Sequence, residues 1–136
     1  MEKTTRTAED VVAEAGQDMT KLHACLLEAM SPVPVVVWEG KFWGGTDQTI
    51  IGYGEHTYPR SDGRTVEWFY LGLAAQKHGY SVYANGVSDG EYLTQRFKGR
   101  VGKAKVGKAA ISFADAQSVD LEALTELAKL TKESFE

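Results

Sequence analysis

Residues 35–56 read VVVWEGKFWGGTDQTIIGYGEH, and this stretch decides the fold class. β-Branched and aromatic residues fill both halves, and Gly44 and Gly45 separate them. Apolar runs bounded by turn formers predict strands, here over Val35–Phe42 and Thr49–His56. A connection this short between successive strands favours antiparallel pairing.

The same signals recur further along the chain. They predict three more strands over Val66–Ala75, Tyr80–Ala84 and Ala109–Phe113, and a turn over Pro59–Arg64. A short helix is expected over Asp89–Phe97, between the last two strands. The sheet therefore has about five strands.

Helical patterns lie at both ends of the chain. Apolar residues recur every three or four positions over Thr7–Met30, with Thr7 as a capping residue and Gly16 as a potential break. The last helix begins after Asp120, a good N-cap. The predicted order is α-β-β-β-β-α-β-α. We expect one α+β domain over residues 1–136, with two layers and both terminal helices packed on one face of the antiparallel sheet.

Composition places the chain among ordinary globular proteins. Hydrophobic residues make up 43% and charged residues 25%. Cys25 is the single cysteine, so no internal disulfide can form, which is typical of a reducing compartment. The polar start Met1–Asp10 does not resemble a secretory signal, and no apolar run approaches the ~20 residues that span a membrane. These features predict a cytoplasmic protein.

A basic segment interrupts an otherwise acidic chain. The net charge of −4 weighs against nucleic acid as a partner, yet Arg96–Lys108 contains six cationic and no acidic residues. Gly102, Gly107 and Lys108 match part of a phosphate-binding P-loop. That motif needs Ser or Thr where this chain has Ala109, and a helix where a strand is predicted, so nucleotide hydrolysis is excluded.

Anion binding is a weaker version of the same idea. Lys103, Lys105 and Lys108 can attract a small anion or an acidic partner. The alternative is a solvated basic loop whose glycines serve turns.

Aromatic residues are concentrated on the predicted strands. Val66, Trp68 and Tyr70 share one strand face by their two-residue spacing. With Trp43 and Tyr53, Trp68 would form the wall of a ligand pocket next to the three lysines, or else part of the core.

Asp10, Glu14 and Asp18 are four residues apart and would line one helix face. Carboxylates arranged in this way suit hard cations and ferrous iron. An acidic helix face that is only solvated is the alternative.

No catalytic arrangement is recognisable in the sequence. His23 and Cys25 are two residues apart on a helix and diverge, so they form no chelate. We expect a protein that is not an enzyme. A pocket carboxylate, Glu39, Glu55 or Glu67, remains open as a general base.

An ordered set of short motifs resembles the YdhG-like domain (domain of unknown function 1801). The set comprises Trp43-Gly44-Gly45, Ile51-Gly52-Tyr53-Gly54, Trp68, Gly72-Leu73-Ala74, Lys77, Gly102-Lys103, Lys105, Gly107-Lys108 and Val119-Asp120-Leu121. The resemblance covers residues 12–130. It implies a fold similar to frataxin and, by analogy with some relatives, intracellular iron handling. Val66-Glu67 and Gln76-Lys77 depart from the usual pattern, so a ligand read there would differ.

Three hypotheses of function follow. The first is a non-enzymatic cytosolic binding protein, with iron as the candidate metal at Asp10, Glu14 and Asp18. The second is a domain or enzyme that binds a small anionic ligand. RNA binding is the third. The partner would be a small ligand or a protein, and the chain a monomer or homodimer.

Overall fold

The computed structural model describes residues 1–42 and 46–136. Within these ranges there are three α-helices, α1 (Ala8–Ala15), α2 (Gln17–Met30) and α3 (Leu121–Phe135), and one 3₁₀-helix (Leu93–Phe97). Thr7 and Asp10 form a capping box at the start of α1. Gly16 has a φ of +102°, which ends α1 and separates it from α2. The predicted break in the first helical region is therefore confirmed.

The strands fall into one large sheet and two small ribbons. They are β1 (Glu2–Lys3), β2 (Val35–Phe42), β3 (Thr46–Tyr53), β4 (His56–Pro59), β5 (Thr65–Trp68), β6 (Leu71–Gln76), β7 (Gly79–Ala84), β8 (Val87–Ser88), β9 (Glu91–Tyr92), β10 (Ala104–Val106) and β11 (Ala110–Phe113).

The described residues form a seven-stranded sheet in the order β1-β2-β3-β6-β7-β11-β10, and every neighbouring pair is antiparallel. Two-stranded ribbons form from β4 with β5 and from β8 with β9. The predicted α+β class, with helices at both ends of the chain and an antiparallel sheet between them, is confirmed. Strands β1 and β10 have two and three residues. They are too short to show the alternation that identifies a strand in sequence.

Three predicted elements are divided in the structure. The strand predicted over Thr49–His56 ends at Tyr53, and β4 begins at His56. The strand predicted over Val66–Ala75 is interrupted at Phe69 and Tyr70, whose backbone groups bond outside the ladder to Asn85 and Tyr53. The helix predicted over Asp89–Phe97 is β9 followed by the 3₁₀-helix. The predicted Gly44-Gly45 turn lies outside the described residues.

The main core lies between the sheet and the helices. Register partners alternate between the two sheet faces, so one row of side chains points toward α2 and α3. This row consists of Val37, Ile51, Leu73, Val82 and Ile111, all of which are buried. It packs in one cluster with the apolar faces of the helices.

The opposite face of the sheet is only partly covered. Trp38 and Ile50 pack there with Phe69 and Ala74 in a second cluster. The ring centroid of Trp68 is 5.2 Å from that of Trp38 and 4.3 Å from that of Phe69. We call these five residues the aromatic cluster. It covers the β2–β3 end of this face.

The predicted common face of Val66, Trp68 and Tyr70 is wrong. Trp68 joins the aromatic cluster, whereas Tyr70 packs against the helix-side core and stacks on Phe135 of α3 at 4.4 Å between centroids. The interruption of the strand at Phe69 explains this difference, because two-residue alternation does not continue across it.

No helix in the described part of the chain is long and apolar enough to cross a membrane.

Candidate functional site

The β6-β7-β11 end of the partly covered sheet face carries polar side chains. The residues concerned are Gln48 from β3, Gln76 from β6, Ser81 and Tyr83 from β7, and Ser112 from β11; we call them the polar network. Ser81 lies opposite Ala74 and Ser112 in the register, which places it on the same face as the aromatic cluster. Gln76 and Ser112 are exposed, so solvent reaches this end of the face.

Side-chain hydrogen bonds join the polar network into one unit. Nε2 of Gln76 donates to the Tyr83 hydroxyl at 2.9 Å and to Oε1 of Gln48 at 3.2 Å. The Tyr83 hydroxyl donates to Oε1 of Gln48 at 3.1 Å. The Ser81 hydroxyl donates to Oε1 of Gln76 at 2.7 Å and lies 3.0 Å from the Ser112 hydroxyl. These bonds hold side chains from four strands in fixed orientations.

One donor group of the polar network has no partner in the described residues. Oε1 of both glutamines already accepts within the network, while Nε2 of Gln48 donates to no group in the described residues. Lys105 of β10 is the direct cross-strand partner of Ser112 and shares its face. Its ammonium forms no ion pair within the described ranges. A positive charge therefore borders a network that keeps one donor group, Nε2 of Gln48, for a ligand.

A cleft of about 640 Å³ begins at this network and continues around the β6–β7 turn. Its lining includes Gln48, Gln76 and Ser112 from the network, together with Asp47 and Lys77. Known small-molecule sites have volumes of roughly 300–1,000 Å³, so the cleft is large enough for a small ligand.

The predicted aromatic ligand residues do not meet in one place. Trp43 lies outside the described residues. Tyr53 faces the helix-side core and is 0% exposed, where burial raises the pKa of its phenol well above the usual value. Trp68 packs in the aromatic cluster.

The predicted lysines lie at the opposite edge of the sheet. Lys103 and Lys105 belong to β10 or immediately precede it, and β10 is the last strand at that edge. The ammonium of Lys108 lies 5.9 Å from the ring centroid of Tyr92. The structure therefore does not bring these lysines together with Tyr53 and Trp68 into the predicted pocket. Lys105 is the one that borders the polar network.

The structure around Gly102 and Lys108 differs from that of a P-loop. Strand β11 follows Lys108 where a P-loop needs a helix, and Gly102 forms a backbone bridge to Val119. The strand expected over Ala109–Phe113 is confirmed, and its observed bounds are Ala110–Phe113.

The three acidic residues have separate environments. Asp10 accepts from the Thr7 backbone in the capping box, and Glu14 forms an ion pair with Arg6. Asp18 lies beyond the break at Gly16, near Tyr80, whose pKa is raised by burial and then by this charge. Among the residues that the structure describes, no group of three His, Cys, Asp or Glu side chains is arranged to hold a metal. Iron binding stays a prediction.

The three carboxylates considered as general bases are all in ion pairs. Glu39 pairs with Arg6 at 2.7 Å, and Glu55 and Glu67 pair with Lys3 at 3.1 and 3.2 Å.

The polar network was missed at the level of sequence. Ser81 and Tyr83 alternate with apolar residues in the predicted strand Tyr80–Ala84, and this alternation is the available signal. It indicates a polar face. It does not indicate that Gln48 and Ser112 come from other strands to the same point.

The chain matches no family model, no curated protein and no solved structure, so its function has to be inferred from its own residues. The resemblance to the YdhG-like domain stays a prediction.

Proposed function

We propose that this protein binds a small anionic ligand, carrying a carboxylate or phosphate group, on the open end of its sheet. The observation that carries the proposal is the hydrogen-bonded polar network beside the cleft, bordered by Lys105. Anions are bound by donors and positive charge together, and charge-assisted hydrogen bonds are stronger than neutral ones.

The arrangement of donors favours an anion over a cation. Oε1 of Gln48 accepts from both Gln76 and Tyr83, so this oxygen is already used. Nε2 of Gln48 and the ammonium of Lys105 remain for a ligand. Because three strands separate β3 from β10, Nε2 of Gln48 and the ammonium of Lys105 would contact opposite ends of a ligand, with the anionic group against Lys105.

Preorganisation supports the same proposal. Ordering a side chain on binding costs roughly 0.5–1.5 kcal/mol. The glutamine and tyrosine side chains are already held by mutual bonds at 2.9–3.2 Å, so less of this cost remains at the moment of binding.

Two charged residues near the polar network, Lys105 and Asp47, would determine how the ligand is oriented. Lys105 borders Ser112 on β11, whereas Asp47 lines the part next to Gln48. The anionic group would lie on the Ser112 side, because Asp47 would repel it. A hydroxyl or ammonium group of the ligand would lie toward Asp47.

The test is an NMR titration with inorganic phosphate and, separately, with citrate at constant ionic strength. We expect saturable shifts of the side-chain amide signals of Gln48 and Gln76, with smaller shifts elsewhere. Lys105→Met should weaken binding by about tenfold, the equivalent of about 1.4 kcal/mol. Lys21→Met removes an exposed helical lysine of the same charge and serves as the control.

Tyr83→Phe tests whether the hydrogen bonds of the polar network contribute to binding. Loss of its hydroxyl leaves Gln48 and Gln76 less constrained, so the affinity should fall without a change in charge. If both probes shift signals evenly over the surface, or if Lys21→Met weakens binding as much as Lys105→Met, the proposal is wrong.

A further inference from the structure

A second cavity lies on the helix side of the molecule, away from the polar network. It has a volume of about 390 Å³ and lies between the segment 4–9, α2 and β2. Its lining includes His23 and Leu27 from α2, Val35 from β2, and Arg6 and Glu9 near the start of α1.

His23 is a buried polar side chain in the wall of this cavity. It is 7% exposed, and its Nδ1 lies 2.7 Å from the Tyr53 hydroxyl in the core. Nε2 of His23 has no hydrogen-bond partner in the described residues, yet it is not a fully buried atom. Because the ring lines the cavity and Nδ1 is bonded into the core, we infer that Nε2 faces the cavity.

The hydrogen bond to Tyr53 determines which nitrogen carries the proton. In the part of the chain that the structure describes, the Tyr53 hydroxyl has no other hydrogen-bond partner. A buried hydroxyl hydrogen without an acceptor is costly, so this hydroxyl donates to Nδ1. Burial lowers the pKa of His23, and the charge of Glu9 opposes that shift only in part, which keeps the ring neutral. Neutral imidazole then has its hydrogen on Nε2, facing the cavity.

The charged side chains in and next to the lining of this cavity carry a net negative charge. Arg6 is the cation of the lining, but it is already in ion pairs with Glu14 and Glu39. Glu9 lines the cavity and forms no ion pair within residues 1–42 and 46–136. The cavity therefore favours a cationic group near Glu9 and disfavours an anion.

Part of the cavity wall is apolar. Leu27 is 41% exposed, which is unusual for a large aliphatic residue in this protein, and Val35 is half-buried beside it. Covering these side chains would remove apolar surface from water.

We propose that this cavity binds aliphatic α-amino amides, such as an amino-acid amide or the first residue of a peptide. The ligand carbonyl accepts from Nε2–H of His23, the ammonium pairs with Glu9, and the aliphatic side chain covers Leu27 and Val35. This inference does not depend on the anion site, because the two sites share no residue.

The first measurement is a calorimetric titration with L-leucinamide. We expect saturable binding. N-acetyl-L-leucinamide, which lacks the ammonium, and 3-methylbutylamine, which lacks the carbonyl, should each bind about tenfold more weakly or worse. Absence of saturable binding of L-leucinamide, or an affinity for either truncated compound equal to that for L-leucinamide, overturns the proposal.

Substitutions at Glu9 and His23 test which residues contact the ligand. Glu9→Gln should weaken L-leucinamide binding about tenfold, while Glu28→Gln, at an exposed position on α2, should leave it unchanged. The double variant of His23→Phe with Tyr53→Phe removes both members of the buried bond, which preserves the fold better than either single change. It should also bind about tenfold more weakly. Unchanged affinity in Glu9→Gln or in the double variant contradicts the assignment.

A ligand-free measurement tests the tautomer directly. Long-range ¹H–¹⁵N spectra of the imidazole distinguish a hydrogen on Nε2 from one on Nδ1. We expect the Nε2–H form of His23 at neutral pH. The Nδ1–H form would remove the donor from the cavity and overturn the proposal.

Discussion

Gly79 is the first residue of β7, directly after the turn from β6, and has a φ of +152°. A Cβ at this position would collide with the backbone carbonyl oxygen of Phe113, which cannot move without disturbing β11. Gly63 also has a positive φ, of +85°, but a Cβ there would have no atom within 4 Å. Gly63 therefore shows the cost of a positive φ without a collision.

We expect Gly79→Ala to lower the free energy of unfolding by about 2–4 kcal/mol, because overpacking adds to the conformational cost. Gly63→Ala should cost about 1–2 kcal/mol from conformation alone. Urea denaturation of both variants measures the difference. Equal losses would show that the contact with Phe113 relaxes freely.

Two imidazoles, the buried His23 and the half-buried His56, make stability depend on pH. Burial lowers the pKa of His23 and of His56, whose ring packs against Phe135 at 4.6 Å between centroids. The unfolded chain takes up these protons near pH 6.5, but the folded chain takes them up only at lower pH. Stability is thus fully present above about pH 6.5 and is lost as the pH falls below it.

The corresponding prediction concerns the slope of stability against pH. His56→Phe removes one of the two groups and keeps an aromatic ring beside Phe135, so the decrease between about pH 6.5 and 5 should become shallower. Urea denaturation at several pH values in that range checks this. A slope as steep as in the unsubstituted protein would mean that His56 does not contribute.

At the level of elements, helix ends were better predicted than strand ends. Asp120 caps α3 as expected, with its Oδ1 accepting from the Ala123 backbone at 3.1 Å. A cap depends on residues within one turn, so its signal is local. The end of a strand depends on where the neighbouring strand stops. Phe69 and Tyr70 look like strand residues but bond to other parts of the chain.

We expect Asp120→Ala to destabilise the protein by about 1 kcal/mol, since it leaves a helix N–H without its acceptor. Glu122→Ala, at an exposed position in the first turn of α3, should have a smaller effect. Thermal unfolding of the two variants distinguishes them. A loss in Glu122→Ala as large as in Asp120→Ala would show that charge near the helix end matters more than the cap.

At the scale of the whole molecule, the N-terminal residues close one edge of the sheet. Strand β1 pairs with β2, and the Lys3 ammonium forms ion pairs with Glu55 and Glu67. The same ammonium lies 5.7 Å from the ring centroid of Trp38, and Met1 packs against the aromatic cluster. These contacts shield Trp38, which is 4% exposed.

Deletion of residues 1–3 should therefore expose Trp38 and leave the edge of β2 unpaired. We expect a red shift of tryptophan fluorescence, a lower midpoint of urea unfolding and a greater tendency to associate, because open strand edges pair with other chains. Glu2→Gln, a change within the same strand at an exposed side chain, is the control. An unchanged emission spectrum in the deletion variant would contradict the shielding role.

Local patterns were sufficient to predict the α+β class, the capped helices at both ends and the central strands, because hydrophobic periodicity and capping are read from neighbouring residues. The sequence also predicted Lys103, Lys105 and Lys108 as ligand residues from local charge, and this stays a prediction. The folded chain was needed to show that Tyr53 lies in the core beside His23 and that Trp68 and Lys105 lie toward opposite edges of the sheet. It was also needed to show that five polar side chains meet: Gln48, Gln76, Ser81, Tyr83 and Ser112. Strand order and register bring together residues far apart in the chain, and no local pattern encodes which face the helices leave open.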